Sequence, residues 1–331
     1  MRDSPVSCTI DLDQDGVQHG FLKLPHSHDV SAWGAIMVPV TSVRNGNGPV
    51  ALLTGANHGD EYEGPTALMD LSAHLQPVQV QGQAIIVPGM NYPAFRAGRR
   101  TSPIDGGNMN RVFPGRPDGG VTEKIADYFQ RHLLPRADFV LDFHSGGRTL
   151  DFVPFAAAHV LPDPDQQAQC VAAMRAFNAP YSVMLLEIDS VGMYDTSAEE
   201  MGKVFVSTEL GGGGSSTAKT VQIAKRGLAN FLKHAGILAG EPEIGPTRHL
   251  DMPDGKCFVT SESNGLVEFC VDLGEEVRAG DLLAKVYDVE RSGGKPRSYK
   301  APIDGFLAGR HYPGLIAMGD FMAMIAIPVD G

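Results

Sequence analysis

The chain has 331 residues, which is enough for one large domain and one smaller module. Its hydrophobic share of 43% and charged share of 20% are ordinary for a globular protein, and its formal net charge of −12 argues against a nucleic acid or an anionic membrane as partner. No apolar run approaches the roughly 20 residues that span a bilayer, and residues 1–15 lack a signal pattern. The scattered cysteines are typical of reduced thiols, so we expect a cytoplasmic protein. A homo-oligomer is left open.

Short apolar, β-branched segments alternate with helical patterns from about residue 35 to residue 239. We predict strands at 35–40, 50–54, 83–87, 139–143, 181–186 and 204–208. We predict helices at 64–75, 122–134, 166–177 and 216–234. This alternation indicates an α/β domain with a largely parallel or mixed sheet.

A segment rich in Pro and Gly at 240–253 reads as a linker, and after it only short strands and turns remain. This tail contains an internal repeat: NGLV and GDLLAKV at 264–267 and 280–286 are echoed by DGFL and GDFMAMI at 304–307 and 319–325. Two such half-motifs resemble the paired hammerhead of biotinyl and lipoyl carrier domains, a small flattened β-barrel. The connection between the halves lacks the usual Met-Lys-Met context of a carrier lysine, so we interpret the tail as a structural barrel.

The chain is therefore predicted to contain two domains. The first covers residues 1–240, with 1–30 as a strand or loop extension, and the second is a β-rich, hammerhead- or barrel-like domain at 250–331.

A His-x-x-Glu pair, His58 and Glu61, follows the predicted strand 50–54 after a short turn. Such a pair can supply two ligands of one zinc ion, but a catalytic zinc usually has three protein ligands and one open position. The strand at 139–143 delivers His144 at its carboxyl end, where open α/β sheets bind their ligands. The three side chains would converge there as a His₂Glu set. Asp142 would either orient a ligating imidazole or point away from it.

Glu209 follows the strand 204–208 and precedes the glycines at 211–214, which allow a close backbone approach or a sharp bend. A carboxylate beside a zinc-activated water can take a proton and later pass it to a leaving amine. Taken alone, Glu209 or His144 would have a plainer interpretation, as a solvated loop charge or a hydrogen-bonded histidine. Their joint placement at strand ends is what indicates a site.

The loop 91–110 carries arginines, among them Arg99 and Arg100, and leads into the pair Asn110-Arg111. An Arg with a neighbouring Asn can bind a carboxylate through hydrogen bonds, and a second Arg can stabilise an oxyanion. Taken singly, these arginines could equally form surface salt bridges.

Four segments taken together resemble the succinylglutamate desuccinylase/aspartoacylase family, a branch of the zinc carboxypeptidase-like fold. The matching segments are GANHGDEYEG (55–64), NMNRVFPG (108–115), DFHSGG (142–147) and STELGGGG (207–214). They occur in the family's order, and the resemblance covers roughly residues 30–240. It implies a mixed sheet with helices on both faces, followed by a small all-β domain.

The resemblance also implies a role for each candidate residue. The ligands of one zinc ion per chain would be His58, Glu61 and His144. Glu209 would act as general base and then general acid, and Asn110 with Arg111 would hold a substrate carboxylate. Arg100 would stabilise the oxyanion, with Arg99 as the reserve, because the spacing to the Asn-Arg pair is longer here than in the aspartoacylases. The reaction implied is hydrolysis of the amide bond of a small N-acyl amino acid.

The forms DFHSGG and TELGGGG look most like the subgroup associated with ectoine breakdown, which deacetylates N-α-acetyl-L-2,4-diaminobutyrate. The acidic segment 187–200 offers Glu187, Asp189 or Asp195 to a substrate ammonium, although a solvated acidic loop would have the same composition. We therefore predict this deacetylation, ahead of succinylglutamate desuccinylase or aspartoacylase-like activity. A zinc carboxypeptidase would need an open cleft, which the tail is expected to narrow. A zinc-stabilised binding module, the non-enzyme alternative, would not depend on Glu209.

Overall fold

A computed structural model describes residues 2–186 and 189–330, which form a mixed α/β fold as predicted. Its strands are β1 (Ser7–Cys8), β2 (Gly16–Pro25), β3 (Ala35–Asn45), β4 (Val50–Gly55), β5 (Gly82–Val87), β6 (Phe139–His144), β7 (Leu150–Phe152), β8 (Phe155–Ala158), β9 (Tyr181–Met184), β10 (Val204–Glu209), β11 (Arg248–Asp251), β12 (Phe258–Thr260), β13 (Gly265–Phe269), β14 (Glu276–Val277), β15 (Leu282–Tyr287), β16 (Arg297–Lys300), β17 (Gly305–His311), β18 (Leu315–Ile316) and β19 (Phe321–Val329). Its α-helices are α1 (Glu63–His74), α2 (Tyr92–Ala97), α3 (Val121–Tyr128), α4 (Pro164–Phe177), α5 (Tyr194–Glu200) and α6 (Ala218–His234). Across the two described ranges, none of the helices is both long and apolar enough to cross a membrane.

The main sheet is large and mixed. Its strand order is β1-β2-β3-β5-β4-β6-β10-β8-β9-β11-β19-β17-β14, with β12 on β19 and β7 on β17. The strands β5, β4, β6 and β10 are parallel neighbours at its centre. A second, separate antiparallel sheet has the order β16-β15-β13-β18.

Helices pack on both faces of the central strands because alternate residues of a strand point to opposite sides. Leu52 and Val140 belong to an apolar cluster that includes residues of α3 and α5. Leu53 and Leu141 belong to another cluster, with residues of α1, α4 and α6. All four side chains are fully buried, and each contributes roughly 1.5–3 kcal/mol of hydrophobic stabilisation. The strand ends that carry polar groups are therefore fixed by a core on either side.

Several elements differ from the sequence-based expectation. The predicted helix 122–134 is α-helical only to Tyr128 and continues as a π-helical turn, Phe129–Leu133. Helix α2 has six residues and is followed by Gly98 with φ 57°, so it is too short to show a helical periodicity. Strand β8 has the sequence FAAA, whose alanines do not favour strands, and it forms because β10 and β9 pair with it on both sides.

The tail is connected to the main sheet by backbone hydrogen bonds. Strand β11 pairs with β9 in parallel, β19 pairs with β11, and β17 pairs with β7. The internal repeat corresponds to two antiparallel pairs, β13 with β15 and β17 with β19, which lie in different sheets. Side chains of both pairs share one apolar cluster, for example Val286 and Ile325. Barrel-like closure and the division at 240–250 remain proposals.

Candidate active site

Three neighbouring parallel strands bring the candidate polar groups to one edge of the sheet. Gly55 of β4 lies opposite Phe143 of β6, and His144 at the end of β6 lies opposite Glu209 at the end of β10. His58 and Glu61 lie in the loop that leads from β4 into α1. The carboxyl ends of these strands thus form the crevice in which an open α/β sheet places its ligands.

His58, Glu61 and His144 form a compact, buried group. Each offers one ligand atom, and these atoms lie within 4.8 Å of one another. Nδ1 of His58 is 2.9 Å from Oε1 of Glu61, and Nδ1 of His144 is 3.0 Å from Oε2 of the same carboxylate. Two imidazoles that face one carboxylate from opposite oxygens form a donor set suited to a divalent cation.

Asp142 orients His144 through its other ring nitrogen. Nε2 of His144 is 2.8 Å from Oδ2 of Asp142. The carboxylate is itself held, because Thr54 donates to Oδ1 at 2.7 Å and Asn57 donates to Oδ2 at 3.0 Å. Residues two apart on a strand share a face, so alternation brings Asp142 toward His144 instead of pointing it away. With Nε2–H donated to Asp142, Nδ1 is left free to bind a cation.

His58 has a comparable partner that the sequence reasoning did not single out. Its Nε2 is 3.1 Å from Oδ1 of Asn108, an oxygen that also accepts from the backbone N–H of Asn110 at 3.1 Å. The local sign in the sequence is an asparagine directly before the turn Met109–Arg111, which is a common capping pattern. Its contact with a histidine 50 positions away has no signature in the sequence.

The charges in this group compensate one another. Burial alone would raise the pKa of Glu61, but the imidazoles of His58 and His144 outweigh that effect and hold this pKa below its ordinary value. Burial, and then the charge of Arg100, lowers the pKa of His58. Burial acts in the same direction on His144, yet Asp142 and Glu61 raise its pKa well above the ordinary value.

Glu209 carries an unsatisfied oxygen at the same edge. Its Oε2 atom is buried and accepts no hydrogen bond from any residue in the described parts of the chain. Burial, and then the negative charge of Glu61, raises the pKa of Glu209 to about 8. A buried carboxylate oxygen without a donor is costly unless a bound molecule supplies one.

Arg100 lies against the metal-site candidates. Its Nη1 is 3.2 Å from Nδ1 of His58 and 3.8 Å from Oε1 of Glu61. Both Arg99 and Arg100 are exposed, but only Arg100 of the two belongs to the described lining of the cavity at this edge. The position next to the cavity therefore favours Arg100 over Arg99 as the oxyanion partner.

The cavity has a volume of ≈ 480 Å³. Beside His58, His144 and Glu209, it is lined by Asn110 and Arg111. Much of the remaining lining is apolar, and the tail contributes three of these residues, Phe258, Phe321 and Met324. A few polar groups in a largely apolar pocket are typical of a small-molecule site.

The pair Asn110-Arg111 lies on a 3₁₀ turn, Met109–Arg111, and is anchored to α5. Oδ1 of Asn110 accepts from the backbone N–H of Tyr194 at 2.9 Å, and Nη1 of Arg111 donates to the carbonyl of Asn110 at 2.6 Å. Arg111 thus extends into the cavity from a turn that is fixed at the start of a helix.

Of the three acidic candidates for an ammonium partner, Glu187 lies outside the described residues. Asp189 and Asp195 both line the cavity, but Asp189 is exposed whereas Asp195 is buried in the first turn of α5.

The backbone next to the metal-site candidates is tightly constrained. Ala56 has a positive φ of 50°, which is uncommon for a residue with a side chain. A Cβ atom on Gly59 would lie 2.0 Å from the carbonyl carbon of Ala94 in α2, so only glycine fits between His58 and Glu61.

The chain is similar to several proteins of known sequence or structure. Residues 47–235 match the family model of the succinylglutamate desuccinylase/aspartoacylase catalytic domain. A protein of Halomonas elongata named N-α-acetyl-L-2,4-diaminobutyric acid deacetylase is 57% identical over 331 residues, which cover 99% of this chain and 97% of that protein. The product-bound ectoine utilization protein EutE (DoeB) from Ruegeria pomeroyi is 64% identical, with a TM-score of 0.97 over 99% of this chain and 100% of that one. A succinylglutamate desuccinylase/aspartoacylase from Rhodobacter sphaeroides is 37% identical, with a TM-score of 0.94 over 99% and 100% of the two chains.

Proposed function

This chain belongs to the succinylglutamate desuccinylase/aspartoacylase family, and from this premise we propose that it deacetylates N-α-acetyl-L-2,4-diaminobutyrate in ectoine catabolism. The family resemblance predicted from the four sequence segments is confirmed. The observation that carries the proposed reaction is the convergence of a buried His-Glu-His group with the unsatisfied carboxylate of Glu209. The substrate is supported by the names of relatives that match nearly the whole chain.

The donor set fits one zinc ion per chain. His58, Glu61 and His144 would hold it, since two imidazoles and one carboxylate are a known catalytic zinc set with one open position. When bound there, zinc would supply Lewis acidity toward a carbonyl and make a water molecule more acidic. Asp142 and Asn108 would keep both imidazoles in the tautomer that presents Nδ1.

Glu209 would act as the general base and then as the general acid. Its buried Oε2 has room for a donor, so it can accept a proton from the attacking water and return it to the departing amine. The raised pKa of Glu209, about 8, suits a group that must both accept and release a proton near neutral pH.

Arg100, Asn110 and Arg111 would orient the substrate. Arg111 would pair with the α-carboxylate, helped by the side-chain amide of Asn110. Arg100, on the side of His58, would stabilise the negative charge that develops on the amide oxygen. The susceptible bond would then lie between the two arginines and the zinc ligands.

We also propose that residues 1–240 form a zinc carboxypeptidase-like catalytic domain and that the barrel-like tail at 250–331 narrows its entrance. Phe258, Phe321 and Met324 of the tail line the cavity, which favours a small substrate over a peptide. The buried carboxylate of Asp195 at the same cavity would disfavour a succinyl or aspartyl carboxylate by repulsion. A cytoplasmic location agrees with this role.

A substrate panel tests the proposal. The purified, zinc-loaded protein is assayed side by side with N-α-acetyl-2,4-diaminobutyrate, N-acetylaspartate, N-succinylglutamate and a blocked dipeptide, and release of the free amine is measured. We expect kcat/KM for the first substrate to exceed the others by about 100-fold or more, because unmatched charges in a polar pocket are rejected strongly. Equal or reversed preference would contradict the proposed substrate, and absence of all hydrolysis would contradict the proposed reaction.

A further inference from the structure

The lining of the cavity holds charges of both signs. Arg100 and Arg111 provide the cations, and Asp189 and Asp195 provide anions that the proposed chemistry does not use. A molecule that fills this cavity is therefore expected to carry an anionic group and a cationic group at different positions.

Asp195 is the unusual member of this set. Its relative exposure is only 6%, although it lines the cavity. Oδ1 accepts from the backbone N–H and the hydroxyl of Thr196, at 2.6 and 3.3 Å. Within residues 2–186 and 189–330, no group donates to Oδ2 and no cation pairs with the carboxylate. A buried carboxylate without a positive partner is costly, so its partner is expected to come from the bound molecule.

The position of Asp195 is fixed relative to the Asn110-Arg111 pair. The preceding residue, Tyr194, donates its backbone N–H to Oδ1 of Asn110 at 2.9 Å. Its ring is fully buried, with its centroid 4.9 Å from that of Phe113. Asp195 and the Asn110-Arg111 pair are thus held in a fixed relation by one hydrogen bond and one packed ring.

The other end of α5 is anchored as well. Nδ1 of His159 lies 2.9 Å from Oε1 of Glu199, and both side chains are buried. A helix of seven residues that is held at both ends keeps the carboxylate of Asp195 in one place, as selective recognition requires.

Asp189 is a poorer candidate for the same role. It is exposed, and its Oδ1 accepts from the backbone N–H of Val191 at 3.2 Å in a loop. An exposed carboxylate discriminates weakly, because water and salt screen its interactions.

We infer that Asp195 binds the free side-chain ammonium of the substrate and thereby selects a diamino acid derivative over dicarboxylic and neutral ones. This inference rests on the proposed deacetylation of N-α-acetyl-2,4-diaminobutyrate. In the bound substrate, Arg111 pairs with the α-carboxylate and Asp195 with the ammonium. The two ion pairs fix the amide between them.

A matched pair of substrates isolates this interaction. N-α-acetyl-L-norvaline has a side chain of the same length as the diaminobutyrate derivative, with a methyl group in place of the ammonium. The ratio of kcat/KM for the diaminobutyrate derivative to kcat/KM for the norvaline derivative then measures recognition of the charge. We expect D195N to lower this ratio by at least about 30-fold, mostly through KM, because the loss of one partner of a buried charge pair weakens binding strongly.

Two control variants locate the effect. E200Q removes the same charge from the exposed end of the same helix, and D189N removes it from the exposed loop. We expect both to keep the ratio within about threefold of the unmodified enzyme, as exposed charges contribute little. If D189N abolishes the selectivity and D195N does not, the assignment to Asp195 is wrong. An equal loss on both substrates in D195N would show a structural role and would overturn the inference as well.

Measurements on the unmodified protein guard against misfolding of the variant. Calorimetric titration of the zinc-loaded protein should show tighter binding of 2,4-diaminobutyrate than of norvaline, and the difference should disappear in D195N. No preference in the unmodified protein would overturn the inference whatever the variant does. If the protein hydrolyses neither N-acetyl compound yet still prefers to bind the diamino acid, the proposed reaction fails and the recognition by Asp195 stands.

Discussion

The two sides of the cavity are built in different ways. On one side, the candidate zinc ligands and Glu209 follow directly from β4, β6 and β10, three parallel strands with a packed core on both faces. On the other side, the groups that would contact the rest of the substrate lie on a turn, on the short helix α5 and on tail strands. In the proposed enzyme, the sheet would therefore fix the reacting groups, whereas the connections and the tail would set the choice of substrate.

Substitution of Glu209 is expected to lower the catalytic activity more than any other substitution proposed below. In E209Q, we expect kcat to fall about 10³-fold or more, because the amide cannot accept the proton of the attacking water. Zinc content, measured by elemental analysis, should stay at one ion per chain, since Glu209 is not among the candidate ligands. A variant that keeps more than a tenth of the activity would exclude Glu209 as the base.

Substitution of Asp142 should have a more moderate effect, which is a lower affinity for zinc. In D142N, the charge that orients His144 is lost while the shape is kept, so we expect zinc affinity to fall about 10- to 100-fold. Competition with a chromogenic chelator measures this change. D138N is the matched control, because Asp138 caps the opposite end of the same strand by accepting from Val50 N–H at 2.9 Å. Equal zinc affinities in the two variants would refute the orienting role.

Substitution of Phe321 should affect the selective side and leave the reactive side intact. In F321A, the tail loses part of the apolar wall of the cavity, and we expect KM to rise about three- to tenfold with little change in zinc content. F21A, at a half-exposed position on β2, is the control and should leave KM unchanged. If F321A changed kcat and left KM unchanged, Phe321 would act on the chemical step and not on substrate binding. The proposed difference between the two sides of the cavity would then be wrong.

The same contrast explains how much could be predicted from the sequence. His58, His144 and Glu209 could be located because each follows an apolar strand-forming segment, and parallel strands end at a common edge. The roles of Thr54 and Asn108 could not, because their partners are 88 and 50 positions away and no local pattern marks such contacts.

Helix α5 shows the same limit. Its seven residues are too few for a periodic pattern, so the sequence offered Asp195 only as one of three acidic candidates. Its burial and its fixed relation to Asn110 emerge only when the chain is folded. Selectivity residues on short connections are thus harder to predict than reacting groups at strand ends.

The pairing of β11 with both β9 and β19 has a consequence for the modularity of the protein. If the chain were cut before β11, β9 would become an open edge strand with unpaired N–H and C=O groups, a surface prone to aggregation. We therefore expect that the tail cannot be replaced as a separate unit by the tail of a relative. The tail and the rest of the chain are expected to unfold in one cooperative transition. Evolution of a new substrate preference would then proceed by replacing side chains within the tail, with its strands kept in place.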